Sequence, residues 1–323
     1  MLRYIIKRLV NMVPLLIGIS FVSFLVIHLA PGSPTSISLF NPKISLEARE
    51  KLNKLYGLDK PVHIQYFNWL KDILKFDFGY SLVDGRKVSS KILERLPVTL
   101  TINILSLLVI FFTAIPLGLY SGWKKGSFFD RFTTLFVFIG FATPSFWLAL
   151  LSMQFLGVKL GWFPISGITS IDFEYFPWYK KALDFLWHIS LPVLVASFGS
   201  LAGLSRYSRE KFLEVLDKEY IRAAFAKGLP SSQIIYKHAL KPVFLPVITI
   251  LGLSVPGLLG GSVIFETIFS IPGMGRLFYE GVMMRDYPLI MGLLVIGAFL
   301  TLLGNFLADL AYTWADPRIK YSK

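Results

Sequence analysis

The 323-residue chain contains no cysteine, which excludes disulfides, thiolate-bound zinc, iron–sulfur clusters and thiol nucleophiles. It contains no Gly-Lys dipeptide, hence no Gly-x-x-x-x-Gly-Lys-[Ser/Thr] phosphate cradle, and nothing that would hydrolyse a nucleotide within this chain. His-Glu-x-x-His is also missing, and His28, His63, His188 and His238 stand far apart from one another. No lysine and no aspartate lies inside an apolar run, and the two histidines there, His28 and His188, read as span-end residues near the interface, so an intramembrane hydrolase has no visible machinery. Catalytic and metal sites are both expected to be none. Charge is scarce: 16% of residues are Asp, Glu, Lys or Arg, against about 25% in a soluble domain.

What takes the place of charge is long apolar sequence. Six stretches carry no Asp, Glu, Lys or Arg: 9–42, 96–123, 132–158, 185–205, 242–265 and 287–308. Each can cross a bilayer as a helix, which takes about 20 residues. They are apolar all round, whereas the strands of an outer-membrane barrel alternate. The expected spans are a first helix ending near Pro31-Gly32, then about 98–121, 132–157, 187–205, 243–265 and 287–310. The first run is too long for a signal-peptide core and lacks a small-residue cleavage pattern, so it reads as an uncleaved span. The fold class is therefore an all-α membrane protein with six transmembrane helices.

Six spans put both termini on one side, and basic residues choose that side. The amino terminus, the 122–131 connection, the 206–241 loop and the tail together hold 17 Lys and Arg, against five in the two short loops of opposite parity. Both termini and 206–241 are thus expected to be cytoplasmic, in a multi-pass protein of the cell membrane. The net charge of +13 is absorbed by this orientation, so no nucleic-acid partner is implied. Segment 32–95 becomes a small extracytoplasmic lobe between the first and second spans. Leu46–Tyr56 has helical spacing stopped by Gly57, and aromatic-rich His63 to Phe76 predicts a second short helix. The expected division is residues 1–97 as first span plus lobe, 98–312 as a core of five spans, and 313–323 as a tail.

Ionisable groups at mid-membrane depth mark functional sites, and here Asp309 at a span end is the only nearby acid. A pathway through such a bundle has neutral walls. Asn103, Ser106, Thr143, Ser145, Gln154, Ser254 and Asn305 qualify, although polar glue between helices explains each equally well. Gly118/Gly122, Gly199/Gly203 and Gly257/Gly261 have the small-xxx-small spacing of close helix packing. Pro116, Pro144, Pro192, Pro246 and Pro256 predict bent or broken spans.

The most informative stretch is Glu219-Tyr220-Ile221-Arg222-Ala223-Ala224-Phe225-Ala226-Lys227-Gly228-Leu229-Pro230. Asp217 to Lys227 predicts a short helix stopped by a left-handed Gly228 and by Pro230. Ser231 or Ser232 then caps a second helix running toward Leu240. Alanines keep the first helix low, Tyr220, Ile221 and Phe225 offer apolar anchors, and Arg222 and Lys227 add charge. The shape suits a groove on a partner protein, or equally a solvated loop helix.

This stretch resembles the coupling-loop motif of binding-protein-dependent ABC transporter permeases: Glu-Ala-Ala, three residues, Gly, nine residues, Ile-x-Leu-Pro. With Gly228 as anchor, Ala223, Ala224 and Leu240 match, while Arg222 and His238 replace the Glu and Ile, and Pro242 falls one position late. Tyr-x-Arg-x-Ala-x-Ala-Lys-Gly is similar to the peptide-transport branch. Met1–Pro34, and Phe265 to Arg276 followed by Arg285-Asp286-Tyr287-Pro288, resemble the first of the two permeases of dipeptide/oligopeptide importers.

The resemblance implies a type I ABC importer permease fold and half of a translocation pathway. The other half would come from a homologous second permease. Two ABC ATPase subunits, carrying ATP and Mg, would bind at the 217–228 helix, and an extracytoplasmic solute-binding protein would dock outside. This chain itself would hold no cofactor. Glu266, Arg276, Arg285 and Asp286 are expected at the outer gate and docking surface, and Asn103, Ser145, Ser254 and Asn305 along the pathway. Oligosaccharides or nickel could be carried by the same architecture; a stand-alone channel belongs to a different class and would conduct without ATPases.

Overall fold

The computed structural model describes residues 2–29, 59–240, 242–244, 247, 250, 254 and 256–315. The expected 46–56 helix and its Gly57 stop, Pro246, most of the tail and much of the fifth span lie outside them. The elements are α1 (Leu2–Leu29), α2 (Val62–Ile73), α3 (Val88–Trp123), α4 (Phe128–Ala142) and α5 (Ser145–Ser152), which continues as a π-helix over Met153–Lys159. Then follow α6 (Trp178–Leu216), α7 (Glu219–Ala226), α8 (Ser231–Gln233) with a second π-helix over Ile234–Ala239, α9 (Val263–Ile268), α10 (Met274–Met283) and α11 (Tyr287–Ala315). No strand forms among the described residues; Tyr80 and Lys87 make one isolated bridge.

Among the described residues four helices are long and apolar enough to cross a membrane: α1, α3, α6 and α11. At 1.5 Å per residue α3 is about 54 Å and α6 about 58 Å long, well beyond a hydrocarbon core of about 30 Å. Both must therefore project from the bilayer. In α6 the projecting half is the charged one, Arg206 to Glu214, and it carries α7 at its end. The expected third span is not one helix. It is the pair α4 and α5, bent by 105° at Thr143-Pro144. Thr143 is extended, with φ −90° and ψ 119°, as a residue before proline prefers. Pro116 and Pro192, by contrast, sit inside the continuous helices α3 and α6.

The chain forms two compact units. The first comprises Met1–Thr99, Leu259–Val263 and Pro272–Phe306, the second Leu100–Leu258, Ile264–Ile271 and Leu307–Lys323. In the first unit, Val88, Ile92, Met274, Leu277, Leu289 and Leu293 form one core. Phe24 of α1, Tyr66 of α2 and Met291 of α11 form another. Helix α2 is the short helix expected in the aromatic-rich segment. In the second unit α4 lies along α6, and α3 closes on α6 through glycine. A Cβ on Gly118 would stand 2.3 Å from the Ser205 carbonyl oxygen, and one on Gly122 3.0 Å from the Phe212 ring. The pair Gly118/Gly122 is thus a true close-packing site. Among the described residues, a Cβ on Gly199 or Gly257 would meet nothing within 4 Å, so neither of these glycines makes such a close approach there.

Candidate functional site

Helix α7 has two faces. Ile221 is wholly buried and Ala224 7% exposed, packed with Phe212 and Val215 of α6 and with Ile234, Ala239 and Val243 beyond α8. Glu219, Tyr220, Arg222, Ala223, Phe225 and Lys227 are exposed. Spacing 221 and 224 places the inward pair on one stripe, as a helix of 3.6 residues per turn requires. Ile221 is therefore not an anchor for another protein, as its sequence suggested, but the pin that fixes α7 to its own chain. Tyr220 (47% exposed) and Phe225 (44%) are the apolar side chains left outside. Arg222 leans toward Asp217 at 3.9 Å, an exposed pair of little consequence to stability.

The helix ends as expected at Gly228, whose φ is +72°. The Gly228 N–H donates to the Phe225 carbonyl at 2.9 Å and the Leu229 N–H to the Ala224 carbonyl at 3.4 Å. These are the two bonds of a Schellman stop, and Leu229 packs with Ala224 beneath it. A Cβ at Gly228 would meet open space, so the constraint there is the dihedral alone. Past the stop, Pro230 occupies the cap position and Ser231 is already helical, so the expected serine cap does not form. The π-helix over Ile234–Ala239 then sets Ile234 and Ala239 into the α7 core.

Beside α6, the second unit encloses a cavity of about 500 Å³. One side is a stripe of α6: Ala196, Ser200, Gly203 and Tyr207. The facing stripe on α3 is Asn103, Ser106, Leu107 and Ile110. Ser254 and Leu258 complete it, so two of the four pathway candidates line one cavity. Both are engaged: Asn103 Nδ2 donates to the Leu258 carbonyl at 2.8 Å and Ser254 Oγ to the Ile250 carbonyl at 2.8 Å. Ser145 is instead exposed at the start of α5, and Asn305 is half-buried on α11 in the first unit. Ser200 and Tyr207 were not among the candidates, although their spacing on α6 would have found them.

Of the expected docking residues, Glu266 is 6% and Asp286 1% exposed, which removes both from a docking surface. Asp286 instead accepts the Ser81 hydroxyl and, at 3.0 Å, the Leu82 N–H, tying the 79–87 loop to the start of α11. Lys91 Nζ lies 3.3 Å from the same Ser81 Oγ and 2.8 Å from Asp84 Oδ2. Burial alone would raise the Asp84 pKa, but the hydrogen bonds from Lys91, the Arg86 N–H and Ser81 outweigh it and lower it to about 2. Arg276 pairs with Glu280 at 2.9 Å, and Arg285 turns the chain between α10 and α11 at φ +52°.

Residues 114–321 match the family described as binding-protein-dependent transport system inner membrane component, and residues 1–103 match its amino-terminal counterpart. The oligopeptide transport system permease protein AppB of Bacillus subtilis is 41% identical over 99% of this chain and 100% of its own length. The dipeptide transport system permease protein DppB of Alkalihalophilus pseudofirmus is 34% identical over the same shares. Among solved structures, a chain of the MetNI methionine ABC transporter in an inward-facing conformation aligns with a TM-score of 0.54 at 17% identity. The alignment covers 71% of this chain and 97% of the other, a likeness of fold.

Proposed function

We propose, given that this chain belongs to the family of binding-protein-dependent transport system inner membrane components, that it is a permease subunit of an importer of di- or oligopeptides. The names of relatives 33–41% identical over nearly the whole chain favour peptide as cargo. The α3–α6 cavity forms this chain's share of the pathway, with neutral amide and hydroxyl walls that hold no fixed charge. A homologous second permease supplies the rest, a solute-binding protein delivers cargo from outside, and both termini and α7 lie in the cytoplasm. Two ABC ATPases with ATP and Mg bind at α7. Nothing in this chain does covalent chemistry.

The observation that carries this reading is the two-faced build of α7. Its inner face is locked by Ile221 and Ala224 to α6, and its outer face leaves Tyr220 and Phe225 for an engine subunit. A push on α7 is therefore delivered to α6, which also walls the cavity. The driving free energy comes from the differential affinity of ATP for the open and closed ATPase arrangements. Reconstituted complexes carrying Phe225→Glu should assemble a folded permease yet lose peptide uptake and peptide-stimulated ATP hydrolysis. Undiminished coupled uptake by that variant would refute the assignment.

A further inference from the structure

A separate cavity of about 300 Å³ lies wholly in the first unit, among the last turns of α1, helix α2 and the start of α11. Its walls are aromatic. Phe24 and His28 stack at 3.9 Å between ring centres, Trp69 lies 5.9 Å from Phe24, and Tyr287 5.9 Å from His28. The His28 ring is fixed from both sides, Nδ1 at 2.8 Å from the Phe24 carbonyl and Nε2 at 3.2 Å from Gln65 Oε1. Two exposed carboxylates, Asp72 and Asp77, also line it. Asp77 uses one oxygen on the Gly79 N–H at 3.0 Å, while the Asp72 carboxylate has no hydrogen bond or ion pair among the described residues. No Lys or Arg is among the lining residues.

This combination selects for charge. Aromatic faces are negative, and a cation within about 6 Å of a ring centre is attracted to them. Two carboxylates without a basic neighbour in the wall add a field of the same sign, so an anion is repelled and a neutral ligand leaves that field unused. A cavity of about 300 Å³ is at the small end of ligand sites, room for a head group rather than a whole oligopeptide. The recess lies beside the last turns of α1, a helix long and apolar enough to cross a membrane.

We propose that this recess binds a primary ammonium group, held against the Trp69 and Tyr287 rings with Asp72 and Asp77 as its counter-charge. Two sources carry that chemistry: the ethanolamine head of a membrane lipid and the amino terminus of a peptide. The site rests on the geometry of the first unit; only the peptide source rests also on the transport reading.

The test uses the assembled transporter, purified without its solute-binding protein. Binding is measured by native mass spectrometry for two probe pairs, phosphatidylethanolamine against its N-acetylated form, and Ala-Ala against N-acetyl-Ala-Ala. The free amine of one pair should bind about tenfold tighter than its blocked partner, and Asp72→Asn/Asp77→Asn should abolish the difference. The pair that discriminates names the source. Equal binding within both pairs overturns the proposal, as does discrimination that survives in the double variant. Should that variant fail to assemble, the wild-type pairs alone decide, together with Trp69→Leu, which should cut the preference several-fold. Absence of peptide uptake by the wild-type transporter reconstituted with its solute-binding protein, with amine preference retained, would instead count against the transport reading.

Discussion

Asp130, at the start of α4, and Arg209, on the projecting half of α6, form a two-bonded ion pair across 79 residues of sequence. Nε meets Oδ1 at 2.6 Å and Nη2 meets Oδ2 at 2.8 Å. The Ser121 hydroxyl and the Gly126 N–H complete the shell of Asp130, which is 5% exposed. The carboxylate thereby joins the end of α3, the start of α4 and α6 just above α7. Removing one partner of a buried pair strands the other, at about 3–5 kcal/mol; Arg209 keeps about a quarter of its surface in solvent, which lowers the expectation to about 2–3 kcal/mol. Asp130→Ala should lower the thermal midpoint accordingly. Arg209→Lys should rescue little, because a single ammonium cannot replace the fork. Equal midpoints for wild type and Asp130→Ala would show that the pair carries no weight.

Gly118 and Gly199 separate spacing from contact. Gly118→Ala forces a Cβ onto the Ser205 carbonyl, so α3 and α6 must part; Gly199→Ala enters open space. Thermal unfolding of the purified chain should show a loss of about 1–3 kcal/mol for the first and a change within about 0.5 kcal/mol for the second. Equal effects would contradict the packing described.

Ile221 and Phe225 divide stability from coupling on one short helix. Ile221→Ala empties a buried site and should cost about 2–4 kcal/mol. Phe225→Ala should leave unfolding within about 0.5 kcal/mol while reducing ATPase stimulation in the reconstituted complex. A stable Ile221→Ala protein would count against the first role, and undiminished ATPase stimulation in Phe225→Ala against the second.

Gly228 is held only by its dihedral. A β-branched side chain in the left-handed region costs about 1–2 kcal/mol, so Gly228→Val should loosen the end of α7 and uncouple ATP hydrolysis from uptake. Gly228→Asn, which tolerates that region, should retain most coupling. Parallel uptake and hydrolysis assays distinguish them; wild-type uptake by Gly228→Val would remove the stop from the mechanism.

Asp84 supplies an acid-sensitive tie. Its pKa is depressed in the folded state, so its contribution is complete above the ordinary Asp value of 3.8 and is lost as pH falls through about 2. Asp84→Asn should therefore lower stability at neutral pH and flatten the dependence between those limits, read from thermal midpoints at stepped pH. An unchanged acid profile would show that Lys91 and Asp84 do not couple.

The apolar runs made the membrane class and most span positions legible, because a helix that satisfies its own backbone groups is what an apolar run of that length can form in lipid. The Gly228 stop was legible because glycine announces a positive φ. The same turn at Phe76, Ser270 and Arg285, with φ of 60°, 54° and 52°, was not, since nothing in those residue types signals it. Pro144 marked an interruption but not a bend of 105°. The faces of α7 and the cavity stripe on α6 were present as periodicity, yet which face turns inward depends on Phe212, Ile234 and Val243. The Asp130–Arg209 pair and the burial of Asp286 arise from contacts between distant segments, which spacing along one element does not encode.

The absence of cysteine allows the most direct test of α7. Single cysteines at 221, 222, 224 and 225 can be placed one at a time in the assembled transporter and treated with a short bifunctional cross-linker during ATP turnover. Adducts joining the permease to an ATPase subunit should form from 222 and 225 and not from 221 and 224. Adducts from the inward pair, or none from the outward pair in an actively transporting complex, would mean that α7 is not where the engine takes hold.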